Sequence, residues 1–338
     1  MEIIMKKILL GNSKKYYKAN LHCHSTISDG AKTPEELKEM YMNQGYSIIA
    51  YTDHDIMLPH FELADENFLP LTGFEIEINE NRDEDFSLLK TCHLCFIALD
   101  PKNIRQICYH RSKYYFGNSP KYKDIVDFDK TKPDFEREHT HEGVNRAIRE
   151  GRENDFFVTY NHTGWSLETF EDYGGYHGMN AMEICNYGSI CDGYIDYNEK
   201  EYDDILRNGE RIYCLSADDN HNYGDDSFGG FVMINADKLE YRTITKALTE
   251  GSFYASQGPE IYEVWYEDGK IGIKCSECAS IRLNTGIRHT NTMCGSKENP
   301  VCEAVFDVWD TDNYVRLTVT DFNEKHANTN AFFVDELK

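Results

Sequence analysis

The chain has 338 residues, 40% of them hydrophobic, with 59 acidic against 35 basic side chains and a formal net charge of −24. A surface that acidic repels DNA, RNA and anionic membranes, so a long nucleic acid is not expected as a partner. There is no apolar run of about 18 residues, which leaves no candidate for a membrane-spanning helix.

The length suits one domain of about 250 residues and a smaller one. The start, Met1 to Gly11, has only a short apolar stretch after its lysines. That is too short for a secretory core, so a cytoplasmic protein is expected. The 11 cysteines then read as reduced thiols, mostly buried as small hydrophobes.

The first predicted strand is Tyr16 to Leu21, followed by His22, Cys23 and His24. Two residues apart on an extended backbone, His22 and His24 point to the same side, and Cys23 points to the other. Asp29-Gly30 follows where the strand breaks into a loop. Two imidazoles and a carboxylate at a strand end suit a divalent metal. Thr33-Pro34-Glu35-Glu36 predicts a helix start, with Thr33 as N-cap and Glu36 closing a capping box; Gly45 ends the helix. Tyr46 to Tyr51 is a strand ending in Thr52-Asp53-His54-Asp55, and strand–helix–strand over this length predicts a parallel pair.

Phe68 to Ile78 is a strand in which Glu75 and Glu77 share a face, and Asn79 to Asp85 is an exposed acidic loop. Thr91 to Leu99 is a strand with His93 near its beginning. Asp100 to His139 is expected to be helix and loop covering one end of the fold. A helix over 140–151 has Val144, Ala147 and Ile148 on its inner face. Asp155 to Tyr160 is a strand ending at Asn161-His162. Further strands are expected over 180–185 (with Glu183), 211–216 (ending in Ala217-Asp218-Asp219-Asn220-His221) and 229–234, with helices over 196–208 and 243–251.

The pattern repeats: strand, polar metal-type residues, loop, helix. In a β/α barrel such residues gather at the C-terminal ends of strands. After Gly258-Pro259 the chain alternates instead, and Asp268-Gly269 between alternating runs predicts a hairpin. Residues 1–257 therefore read as one α/β domain and 258–338 as a small β-sandwich-like domain, either a structural or a dimerising lid, the second of which would make a homodimer. Cys275, Cys278, Cys294 and Cys302 form a weakly spaced candidate for a zinc knuckle.

His22-x-His24 with Ser28-Asp29-Gly30, Thr52-Asp53-His54, Gly73-x-Glu75, a lone histidine in a strand, Asn161-His162 and Asp219-x-His221 together resemble the PHP (polymerase and histidinol phosphatase) superfamily. The likeness covers roughly residues 15–255, and the added β region looks like a two-domain bacterial subgroup. It implies an α/β fold: a distorted (β/α)7 barrel followed by a small all-β domain. It implies two or three divalent ions, with Mn, Zn or Fe suited to mixed nitrogen and oxygen ligands. His22, His24, Glu75 and Asp219 would hold one ion. Glu75, His93 and His162 would hold a second, and Asp29, His54 and His221 a third. Asp53, Asp55 and Asp218 flank these ligands, either orienting imidazoles or standing in solvent.

The expected activity is hydrolysis of a small phosphomonoester or phosphodiester, nucleotide-like or a sugar phosphate, by hydroxide formed between metals that share Glu75. Asp219 and His221 are placed with Glu75 at the chemistry. Two alternatives stand beside it: a metallohydrolase of carbamate, amide or ester bonds, and a non-catalytic PHP scaffold. His139, His141 and His177 are loop candidates for the proton donor. Arg111, Arg137 and Arg146 are candidates for holding phosphate.

Overall fold

The computed structural model describes residues 6–11 and 15–337; the reading of the first five residues as no secretory leader lies outside them. A long sheet runs in the spatial order Tyr213–Ala217, Ala181–Asn186, Phe156–Tyr160, Thr91–Ala98, Leu69–Asn79, Ile48–Tyr51, Tyr16–Asn20, Phe231–Asn235 and Phe253–Ser256. It continues through His326–Thr329 and Tyr314–Thr320 into the C-terminal region. This is an α/β core carrying parallel strands, followed by an antiparallel β region.

The first half forms for the reasons legible in the chain. Thr33 caps the Pro34–Met42 helix, and Glu36 closes the capping box onto the Thr33 backbone. The crossover makes Tyr16–Asn20 and Ile48–Tyr51 parallel, and Ile48–Tyr51 pairs in parallel with Leu69–Asn79. The next connection has no crossover helix. Thr91–Ala98 therefore returns antiparallel to Leu69–Asn79, with Glu77 opposite His93. This reversal puts the beginning of that strand at the end of the sheet where the parallel strands finish, so His93 joins residues that follow other strands.

The edges of the first seven core strands meet at that same end. Cys23 bridges Asn220 in parallel, the Asp219 N–H donates to the His22 carbonyl at 3.0 Å, and the His24 N–H donates to the Asn220 carbonyl at 3.2 Å. Two helices pad the outside as their apolar spacing predicts. His141–Glu153 buries Val144, Ala147 and Ile148, and Tyr241–Thr249 buries Ile244, Ala247 and Leu248.

Residues 100–139 depart from expectation. They hold no α-helix among the described residues, only the paired short strands Arg105–Gln106 and Asp127–Phe128 and a single 3₁₀ turn at Ser119–Lys121. Pro120 and Pro133 withhold backbone donors, and Gly117 takes φ +56°, so a regular helix cannot run through. No described helix is long and apolar enough to cross a membrane.

In the C-terminal region a second sheet of Lys7–Leu10, Ile261–Glu267, Lys270–Cys278 and Val301–Asp307 packs on the strands Ser280–Thr285 and Tyr314–Thr320. Ile261, Val264, Ile271, Ile273, Ile281, Leu283, Leu317 and Val319 fill the space between. Asp268 and Gly269, at φ +49° and +71°, make the expected tight hairpin. Lys7–Leu10, from the start of the chain, is an edge strand of this sheet. The Sγ atoms of Cys275 and Cys278 lie 3.9 Å apart, while Cys294 and Cys302 are exposed. Among the described residues no cysteine belongs to a group close enough to share an ion.

Candidate metal centre

Glu75 is the hub. It lies mid-strand on the inner face, 1% exposed, and both carboxylate oxygens are shared. Oε1 is 3.2 Å from His22 Nε2, 3.2 Å from His93 Nδ1 and 3.5 Å from His162 Nε2. Oε2 is 3.3 Å from His24 Nε2 and 3.3 Å from His54 Nδ1. Asn161 adds a donor, its Nδ2 giving a hydrogen bond to Oε1 at 2.9 Å. Five imidazoles thus converge on one carboxylate from segments that follow or begin different strands.

Asp219 Oδ1 is 3.1 Å from His22 Nε2 and 3.0 Å from His24 Nε2. Asp29 Oδ2 is 3.1 Å from His221 Nε2 and 3.9 Å from His54 Nε2. Local backbone makes these approaches. Asp219 takes φ +53° and His162 φ +27°, sparsely populated conformations that turn each side chain back over the sheet end. Gly30 lets the Asp29 loop fold onto the histidine strand; a Cβ there would lie 2.5 Å from the His24 carbonyl oxygen.

Three groups of side chains are close enough to share an ion: His22, His24, Glu75 and Asp219; His24, Asp29, His54 and His221; and His54, Glu75 and His93. All nine expected ligand positions are in one cluster. The grouping differs from the one the family resemblance implies, since His24 and His54 each enter two groups, and His162 stands near Glu75 and Asp219 outside the tightest sets.

The donor set fits cations. His54 Nδ1, His93 Nε2 and Asp219 Oδ1 are buried without a hydrogen-bond partner. Native interiors rarely leave such atoms unsatisfied. His22 Nε2 and His24 Nε2 face each other at 3.1 Å, which needs a proton or a cation between them. Electrostatics agree. Burial alone would raise the Glu75 pKa, but the surrounding imidazoles of His22, His93 and His54 hold it well below the usual range. Burial, followed by the neighbouring His24, lowers the His54 imidazole to about 3, which keeps its nitrogens free to ligate.

Partners behind the cluster fix ring orientation. His22 Nδ1–H donates to Glu183 Oε1 at 2.7 Å, which turns Nε2 toward Glu75. Glu183 also accepts from the His162 backbone N–H at 2.9 Å and from Asn186 Nδ2 at 2.8 Å. His221 Nδ1–H donates to the Asp219 carbonyl at 3.1 Å. Glu183 and Asn161 complete the centre without having been assigned roles from the sequence. The signal for Glu183 was present: a carboxylate on a strand, in step with the other site residues. Glu183→Gln is expected to weaken divalent-metal binding by about 10–100-fold, measured by metal titration, because it removes the charge orienting His22.

The three flanking aspartates have different tasks, and none orients an imidazole directly. Asp53 accepts from the backbone and hydroxyl groups of Ser25 and Ser28, pinning the turn that carries Asp29. Asp55 pairs with Arg137 at 2.5 Å. Asp218 accepts from Tyr41 Oη and from the backbone N–H groups of Phe228, Gly229 and Gly230, and burial raises its pKa to about 7. All three are buried, so the solvated reading does not hold.

A cavity of about 800 Å³ opens beside the cluster. Phe86, Phe116, Trp165 and Tyr223 line it, and sequence periodicity gave no sign of them. The loop candidates lie elsewhere. His139 pairs with Glu168, His141 with the Glu171 carbonyl, and His177 with Glu210. Arg111 is held by Asp134, and Arg146 by the Glu136 carbonyl. None of these, nor Arg137, lines the cavity.

The chain is 30% identical over 132 residues to the error-prone DNA polymerase of Mycobacterium bovis, covering 36% of this chain and 11% of that protein. It is 39% identical over 71 residues to the 5'-3' exoribonuclease of Haemophilus influenzae, covering 20% of this chain and 25% of that one. The chain therefore spans only a minor part of the length of these relatives.

Among solved structures it is similar to a Bacteroides vulgatus two-domain protein containing a "predicted PHP-like metal-dependent phosphoesterase". That likeness has a TM-score of 0.43 and 15% identity, over 96% of this chain and 98% of that one. An amidohydrolase from Chromobacterium violaceum gives a TM-score of 0.40 and 16% identity, over 62% and 89%. The PHP domain model matches residues 20–276, well over half of the sequence, and the chain belongs to the PHP domain family.

Proposed function

We propose that the protein is a metal-dependent hydrolase of a small phosphate ester. The observation that carries this reading is Glu75, whose two oxygens are each shared among imidazoles at 3.2–3.5 Å, the arrangement of a carboxylate that bridges cations. Two or three divalent ions held there, Mn, Zn or Fe by donor type, would supply an activated water and neutralise charge on the reacting phosphoryl group.

The protein's own part is positioning. His54, Glu75 and His93 form a wholly buried ligand group, and in the group of His22, His24, Glu75 and Asp219 all but Asp219 are buried. Asp29, His54 and His221 line the cavity together with Glu75, His93, His162 and Asp219. Glu183 and the Asp219 carbonyl accept from Nδ1 of His22 and His221, which turns Nε2 of each ring toward the facing carboxylates. The buried floor excludes bulk water, so charges placed there act at short range with little screening. We read the protein as cytoplasmic.

The same constellation can serve attack on a carbonyl carbon. One observation favours keeping that reading: no lysine or arginine lines the cavity among the described residues. A single panel separates the two. Protein reconstituted with Mn or Zn is offered nucleoside monophosphates, sugar phosphates, p-nitrophenyl phosphate, and amide, carbamate and ester compounds. The expected result is metal-dependent phosphate release, lost in His54→Ala. Hydrolysis of only the carbonyl compounds, with metal bound, would transfer the assignment to them. Absence of any bound metal would overturn both.

A further inference from the structure

The cavity wall carries a charge pattern unusual for a site that takes an anion. Beyond the ligand cluster its acidic lining residues are Glu77, Asp192, Asp225 and Asp226, and among the described residues no lysine or arginine lines it. Asp226 is committed to the loop, accepting from the backbone N–H groups of His221 and Asn222. Asp192 and Asp225 are exposed at the rim and form no ion pair among the described residues. The arginines that might have offset them are spent elsewhere, Arg137 on Asp55 and Arg111 on Asp134.

The wall also carries aromatic surface on two sides of the cluster. Trp165 stands edge-on to His93 and His162, with ring centroids 5.2 and 5.0 Å away, and Phe86 lies 6.3 Å from Trp165. Phe116 stands edge-on to His54 at 5.3 Å. Phe86, Phe116 and Tyr223 are about half exposed or more, so their apolar faces are uncovered by the fold. The unpartnered ligand atoms His54 Nδ1 and His93 Nε2 are buried beside these same rings. One phosphoryl group therefore has a place, at the cluster, and whatever it is attached to meets flat apolar walls and carboxylates.

We propose that this site selects a monoester bearing a single phosphate on an alcohol with a flat, uncharged ring system, the chemistry of a nucleoside monophosphate, and rejects the same compound carrying a second phosphate. The inference rests on the phosphate-ester reading above. The physical basis is twofold. A flat ring gains contact with Trp165, Phe86 and Phe116 that an open sugar cannot. A second phosphate, held away from the cations, meets Asp192 and Asp225 with no lysine or arginine of the described lining to balance them.

The test uses the full chain loaded with Mn. kcat/KM is measured for adenosine 5′-monophosphate, for its 3′,5′-bisphosphate and for ribose 5-phosphate. The monophosphate is expected to exceed each of the others by at least about ten-fold. The gap to the bisphosphate should shrink with added salt, which a purely steric barrier would not do. In Asp192→Asn/Asp225→Asn the ratio of bisphosphate to monophosphate should rise by about five-fold or more. Equal or preferred use of the bisphosphate by the unaltered protein overturns this inference and leaves the phosphate-ester reading standing. A ratio unmoved by the double substitution or by salt overturns the role of the two carboxylates. No phosphate from any of the three, with other phosphate esters hydrolysed, overturns the inference alone; no phosphate from any ester overturns the reading beneath it.

Discussion

Replacing Glu75 by glutamine is expected to lower hydrolysis by about a thousand-fold or more while the protein still folds. Glutamine keeps the volume but loses the negative charge and presents one oxygen where two are shared. Five imidazoles now face that carboxylate at 3.2–3.5 Å, and no other described carboxylate reaches all five. Metal content, measured by mass spectrometry, should fall with activity. A second readout comes from stability. An ion that binds only the folded chain at a thousand times its Kd adds about 4 kcal/mol. A chelator should therefore lower Tm for the unaltered protein and change it far less for Glu75→Gln. Activity within ten-fold of the unaltered protein would show that Glu75 bridges nothing.

The second large effect lies far from the metals. Arg316, fully buried, joins the C-terminal β region to the Glu199–Arg207 helix of the core. Its Nε and Nη2 donate to the two oxygens of Asp203 at 2.8 and 2.7 Å, and Nη2 also reaches Glu199 at 3.1 Å. Tyr314 Oη donates to Asp203 as well, and Arg282 pairs with Glu199. Arg316→Ala removes the shared cation, leaving a cavity and two carboxylates partly shielded from water. The expected cost is about 3 kcal/mol, the low end for a broken buried pair because both carboxylates keep some access to solvent. Thermal or denaturant unfolding measures it. Asp203→Asn combined with Arg316→Met should cost less than Arg316→Ala, since no unpaired charge then remains at position 203. Equal losses would show that packing and not charge holds this junction.

What could be read along the chain was local. Short-range rules were enough for the capping box at Thr33, the parallel pair made by the crossover after it and the Asp268-Gly269 hairpin, because each depends on neighbours in sequence. The nine expected ligand positions also lie together in one cluster. A metal-binding side chain must follow a strand with a particular spacing, and His22-x-His24 or Asp219-x-His221 carries that spacing within three residues.

Three things depended on contacts between distant segments. The reversal of Thr91–Ala98, which brings His93 to the cluster, follows from how the chain returns after Leu69–Asn79, and strand direction leaves no mark on side-chain alternation. The fates of Asp53, Asp55 and Asp218 were set by partners at Ser25, Arg137 and Tyr41, so adjacency to a ligand said nothing about their roles. The cavity walls come from separate loops, with Phe86, Phe116, Trp165 and Tyr223 each unremarkable where it stands.

The identity of the clustered side chains was thus carried in the order of residues, because donor chemistry is a property of single residues and short spacings. Which of them stand close enough to share an ion, what holds them in orientation and what lines the cavity were decided only by the closed tertiary fold. Those properties are distances between segments, and distances arise when buried surface brings the segments together.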